Sequence, residues 1–151
     1  MPREKSIGVI IYREGNGNKS QKIKSKGRVY LLLHYPGDFH HRDHWDFPKG
    51  NQRKGEGDLE TAKREVWEET GIGDLIFDLG YKEKIGYFYK EKGKTIHKEV
   101  IFYLAKAKQK EIILSEEHIG YRWLDYEKAI DLLSYESSRE LLEKAEKQLS
   151  H

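Results

Sequence analysis

The chain has 151 residues, enough for one domain with a full hydrophobic core. Its 28 basic and 26 acidic side chains leave a formal charge of +2, a balance that argues against a general nucleic-acid or membrane binder but permits a local basic pocket for an anionic substrate. Without cysteine there are no disulfides or thiolate metal sites. No segment approaches ~18 apolar residues and MPREKSIGVIIY lacks a long apolar run behind its charges, so a soluble cytoplasmic protein is expected.

Ser6 to Tyr12, SIGVIIY, is a β-branched run that reads as a buried strand. Arg13 to Lys26, rich in Gly, Asn, Ser and Lys, reads as a long exposed hairpin loop; its five Lys/Arg suit a solvated segment better than phosphate contacts. Arg28 to His34, RVYLLLH, is the second strand. Tyr35 to Phe47 begins with a Pro-Gly turn and holds three of the seven histidines. His40, His41 and His44 match no usual structural zinc spacing and have no Cys partners, so a loop bringing one histidine near a substrate is expected, not a zinc site.

Gly50 to Ile72, GNQRKGEGDLETAKREVWEETGI, carries the chemistry. Asp58 is the expected N-cap, Leu59 to Thr70 contains no Gly or Pro, and Gly71 stands where a left-handed C-cap is wanted, which predicts one helix. Leu59, Ala62 and Val66 form an apolar stripe, while Glu65, Glu68 and Glu69, at i, i+3 and i+4, crowd onto an adjacent face. Like charges so spaced destabilise a bare helix by tenths of a kcal/mol per pair, and grouped hard oxygens suit Mg²⁺ or Mn²⁺. The alternative is a solvated acidic face with Arg64 paired to Glu68.

Leu75 to Leu79 and Tyr81 to Tyr89 read as two strands divided by Gly80, and Lys90 to Lys94 as a charged hairpin turn. Glu99 to Ala107 is a strand with a run that starts at Thr95, Ile112 to Leu114 an apolar patch, and Gly120 to Leu124 a short strand. Asp125 is expected to cap a helix through Leu133, and Ser137 or Ser138 a last helix to about Leu149. Strands, a helix, more strands and two closing helices predict an α/β sandwich with a mixed sheet between helices.

The fixed positions Gly50, Glu56, Arg64, Glu65, Val66, Glu68, Glu69, Gly71 and Ile72 together resemble the Nudix box. The resemblance covers essentially the whole chain and implies a single Nudix hydrolase domain over 1–151 with the Nudix-type α/β/α sandwich. The flanking phrases HWDFPKG, His44 to Gly50, and LSEEHIGYRWLDYEKA, Leu114 to Ala129, are similar to those of asymmetrical diadenosine tetraphosphate hydrolases of the animal and archaeal type.

That resemblance implies a Mg²⁺-dependent pyrophosphohydrolase, with Mn²⁺ as a substitute, cleaving diadenosine tetraphosphate to ATP and AMP by attack of water. It implies that Glu65, Glu68 and Glu69, with the Gly50 carbonyl, hold metal, that Glu56 supports their loop, and that Glu117 is a further ligand or a base. Glu65 and Glu117 remain alternatives for the general base, Glu68 and Lys49 join them in catalysis, and His44, Lys49 and Lys94 lie along the phosphates. Tyr87 and Tyr121 would hold adenine, against the plainer roles of rim or core aromatics. A monomer acting on a nucleotide, with no DNA or membrane partner, is expected. Asp46-Phe47, the stretch KTIHKE at Lys94 to Glu99, and the Arg13 to Lys26 segment depart from the pattern near the groove. They leave 5′-triphosphate RNA, diphosphoinositol phosphate and ADP-ribose as alternative substrates, and a catalytically silent nucleotide sensor as the alternative of another class.

Overall fold

The computed structural model describes residues 3–14, 27–39 and 41–150. Residues 15–26 of the expected charged loop, and His40, therefore lie outside the described residues. Two long runs dense in β-branched and aromatic residues, β1 (Arg3–Glu14) and β6 (Lys94–Lys106), pair in parallel from Arg3 against His97 to Tyr12 against Lys106. Antiparallel neighbours complete a mixed seven-stranded sheet. β2 (Arg28–Tyr35) pairs with β1 at Tyr12 against Tyr30, and β5 (Ile76–Glu91) pairs along β6. β7 (Gly120–Leu124) pairs with β2. Where β1 and β2 diverge, two short strands fill the gap: β3 (His44–Asp46) on β2 and β4 (Lys49–Asn51) on β1.

Alternation along the strands sends side chains to two cores. Ile7, Val9, Ile11, Leu31, Leu33 and Ile101 face Ala62 and Val66 of α1 (Asp58–Thr70). Ile10, Leu32, Phe47, Phe102 and Leu104 face the other way, onto α2 (Tyr126–Leu132) and α3 (Glu136–Leu149). Each fully buried Leu, Ile or Phe contributes about 1.5–3 kcal/mol. The expected α/β/α sandwich with a mixed sheet is therefore the observed one, and it holds α1 with its apolar stripe down and its carboxylates beside β4.

Local details differ from the sequence reading. α1 is capped by Gly57, not Asp58; the Glu60 carboxylate reaches back to the Gly57 amide, while Asp58 accepts from Lys5 at 2.9 Å and Tyr103 at 2.8 Å. Lys5 and Tyr103 on the neighbouring strands thus draw the Asp58 carboxylate away from the cap. The strands expected either side of Gly80 are one strand, because a register shift between Asp78 and Lys82 absorbs the glycine and the ladder continues. The hairpin turns at Lys92 and Gly93, both at positive φ as a two-residue turn of matching twist requires. α3 begins after Tyr135, not at Ser137 or Ser138; the Ser138 hydroxyl, buried in the first turn, instead donates to Asp46 at 2.9 Å. Asp125 caps α2 as expected, accepting from the Lys128 amide.

Candidate active site

β4 delivers Gly50 and Asn51 to the edge of α1, and Arg64 gathers what lies there. Its Nε donates to Glu56 at 2.6 Å, Nη1 to Glu65 at 2.7 Å and Glu68 at 3.0 Å, and Nη2 to the Asn51 carbonyl at 3.0 Å and again to Glu56 at 2.9 Å. The Arg64–Glu68 pair of the plainer reading exists, but as one arm of a hub spanning the loop and the helix. Glu56 also accepts from the Arg53 amide and the Thr61 hydroxyl. Hydrogen bonding by Arg64, then by the Arg53 amide, holds the Glu56 carboxyl at about 2.

Glu69 sits differently. It is 4% exposed, its Oε1 lies 3.2 Å from His118 Nε2, and its Oε2 is buried without a hydrogen-bond partner. Burial pushes its carboxyl above the ordinary value, against the opposing pull of His118. Gly50 packs so closely on Glu65 that a side chain there would have to push the Glu65 carboxylate aside.

A cavity of about 770 Å³ is lined by Lys49, Gly50, Glu65, Glu68, Glu69, Glu117 and Tyr87. Hard carboxylate oxygens, an orphaned buried oxygen on Glu69 and a side-chain-free Gly50 fit a divalent cation by donor type. Among the described residues no three acidic or histidine groups already converge on one point, since Arg64 and His118 hold the carboxylates.

A second cavity of about 450 Å³ adjoins the first, sharing Lys49, Tyr87 and Val100, and is lined further by His44, Phe102 and Tyr135. The His44 and Tyr135 rings lie 5.3 Å apart. Asp46, 3% exposed, holds this wall by accepting from Ser138 and, at 3.4 Å, from Lys49 Nζ.

Of the residues expected from the sequence, the structure brings together Lys49, Gly50, Glu65, Glu68, Glu69, Glu117 and Tyr87 around the first cavity, and His44, Lys49 and Tyr87 around the second. It does not bring Tyr121 or Lys94 to either. Tyr121 lies on β7, beyond β2, and shares a strand face with Trp123, which packs into the α1 core. Tyr87 lies on β5 at the other side of the sheet and shares its face with Ile85, which packs into the opposite core. Tyr135, Lys98 and His118 were missed. Lys98 is discoverable by parity, two residues before Val100 on the same strand face, whereas Tyr135 precedes a helix and carries no local signal.

The chain matches the family described as NUDIX domain over residues 2–145. It is 38% identical over 143 residues to the bis(5′-nucleosyl)-tetraphosphatase [asymmetrical] of Rattus norvegicus, covering 92% of this chain and 90% of that protein. The crystal structure of a C. elegans Ap4A hydrolase binary complex superposes with a TM-score of 0.76 at 32% identity, covering 97% of this chain and 98% of that one. An RNA pyrophosphohydrolase of Bartonella henselae is 31% identical over 75 residues, covering 50% of this chain and 39% of that protein.

Proposed function

This chain belongs to the NUDIX family, and from that membership we propose that it cleaves dinucleoside tetraphosphates asymmetrically, taking diadenosine tetraphosphate to ATP and AMP. The observation that carries this reading is the shared wall of the two cavities. Lys49 and Tyr87 line both, so a phosphate chain held among carboxylates and cations continues into a nucleoside held among aromatics.

Glu65, Glu68, Glu69 and Glu117, with the Gly50 carbonyl, would hold a divalent cation; their hard oxygens favour Mg²⁺, with Mn²⁺ as a substitute. When bound, the cation neutralises the polyphosphate and acidifies water. Glu65 or Glu117 takes the proton of the attacking water, the new oxygen–phosphorus bond forms, and the bridging oxygen leaves with its electron pair on the departing nucleotide. Lys49, oriented by Asp46, and Lys98 counter the charge of the phosphate chain. Arg64 keeps Glu56, Glu65 and Glu68 in one cluster with the Asn51 carbonyl, so that the loop and helix act as a unit.

In the second cavity Tyr87 and Tyr135 offer ring faces to adenine, with His44 beside Tyr135. Tyr121 and Lys94 have no part in this arrangement. The same reading takes the chain as one domain working as a cytoplasmic monomer on a small nucleotide; no helix among the described residues is long and apolar enough to cross a membrane. The similarity to an RNA pyrophosphohydrolase spans only half the chain, which supports a nucleotide over RNA.

The test is anion-exchange product analysis with diadenosine tetraphosphate and Mg²⁺, beside 5′-triphosphate RNA, ADP-ribose and diphosphoinositol phosphate. Equal ATP and AMP, formed only with metal, is the expected result. Cleavage of another substrate with the dinucleotide untouched would overturn the assignment, and nucleotide binding without turnover on any of them would make the chain a sensor.

A further inference from the structure

One side chain fastens both halves of the first cavity. His118 is 7% exposed, with its ring edge-on to Tyr35 at 4.7 Å between centroids. Its Nε2 lies 3.2 Å from Glu69 Oε1 and its Nδ1 3.0 Å from the Ser115 hydroxyl. Ser115 Oγ also accepts from the Glu117 amide at 3.3 Å, and the Ser115 amide donates to the Glu69 carbonyl at 3.2 Å. One polarity satisfies every member: the Glu117 amide to Ser115, the Ser115 hydroxyl to Nδ1, and Nε2–H to Glu69. This network engages Glu69 through Oε1 and leaves Oε2 buried without a donor. A buried carboxylate oxygen in that state is costly unless a ligand takes it.

We propose that His118 is a positioning residue for the cation site, fixing the Glu69 carboxylate through Oε1 so that Oε2 is held for the metal, and setting through Ser115 the backbone that carries Glu117 into the same cavity. The proposal rests on the metal-dependent reading above. Outer-sphere partners of ligating groups are worth about 10–100-fold in metal affinity. A histidine that merely fills space under Tyr35 would show no such dependence on which ring nitrogen is replaced.

The amide of glutamine reaches the place of Nε2, whereas that of asparagine reaches only the place of Nδ1, so H118Q and H118N separate the two roles. Mn²⁺ binding to the chelator-treated full chain, followed by electron paramagnetic resonance, reads the effect without turnover; thermal melting monitors the fold. H118N is expected to weaken Mn²⁺ binding by about 10–100-fold, and H118Q, which keeps the Glu69 contact and loses the Ser115 one, by less, with KM for the nucleotide at saturating metal unchanged in both. Equal losses in the two variants, or parental affinity in H118N, overturn the proposal. E69Q distinguishes the failures. If the parent binds no Mn²⁺, or E69Q binds it as tightly as the parent, the metal site itself is wrong and the proposal falls with it. If E69Q abolishes binding and H118N does not alter it, only the positioning role falls. Should H118N not fold, S115A keeps the ring and removes its Nδ1 partner: weakened binding supports the network, and parental affinity overturns it.

Discussion

A Cβ on Gly50 would lie 2.0 Å from Oε2 of Glu65. The intruded atom is the end of a flexible side chain, so the protein accommodates the methyl by swinging the carboxylate aside, at small cost in stability but with the proposed ligand displaced. G50A is therefore expected to melt near the parent and to lose about 100-fold or more in kcat. Parental kcat in a folded G50A variant would remove Glu65 from the reaction.

The Arg64 hub makes a prediction about acid. Glu56 titrates at about 2 in the folded chain against an ordinary value of 4.5. A depressed folded value means that its stabilisation is fully present above pH 4.5 and drains away as the pH falls toward 2. The Tm gap between the parent and E56Q should accordingly narrow across that interval. A gap that stays constant would show that Glu56 acts through something other than its charge.

The three tyrosines can be sorted by kinetics. Base stacking is worth about 1–3 kcal/mol, or roughly 5- to 150-fold in binding. Tyr87→Ala and Tyr135→Ala should raise KM for diadenosine tetraphosphate within that range and leave kcat little changed, while Tyr121→Ala behaves as the parent. A KM defect in Tyr121→Ala alone would place the base on the other side of the sheet.

Two lysines on β6 separate in the same way. Lys98 lines the first cavity, its Nζ donating to Asn51 at 2.8 Å and to Glu4 at 3.4 Å, whereas Lys94 is exposed beside the hairpin turn. Losing a charge-assisted contact costs about 1.5–3 kcal/mol, so K98Q should raise KM by roughly tenfold or more and K94Q should not. The reverse order would mean that the phosphate chain runs toward the hairpin.

The helix α1 was legible because its signals are local: an apolar stripe, carboxylates at i, i+3 and i+4, and a glycine at the C-cap all fall within Gly50 to Ile72. The mixed sheet followed from the strand runs and the closing helices. What escaped was set by partners distant in sequence. Asp58 gave up its cap for Lys5 and Tyr103, and Ser138 gave up its own for Asp46. Gly80 looked like a break because a ladder's ability to continue past a bulge depends on the neighbouring strand. The phrase that contains Tyr121 does not set its direction; the pleat and the pairing of β7 with β2 decide where it points, and Tyr135 enters the second cavity only because α3 packs across the sheet.

The parallel pairing of β1 with β6 bears on how this protein comes into being. During synthesis β1 emerges long before residues 94–106, and its edge toward β6 stays open until they follow. Gly50, which β4 aligns on β1, and Glu117, carried by a loop beyond β6, meet only after that long-range closure. Sheets closed by such distant contacts fold slowly, because the entropy of the intervening loop is lost before the contacts form. A nascent chain ending before β6 has α1 without Lys98 and Glu117 opposite it, so the first cavity exists only in the finished sheet.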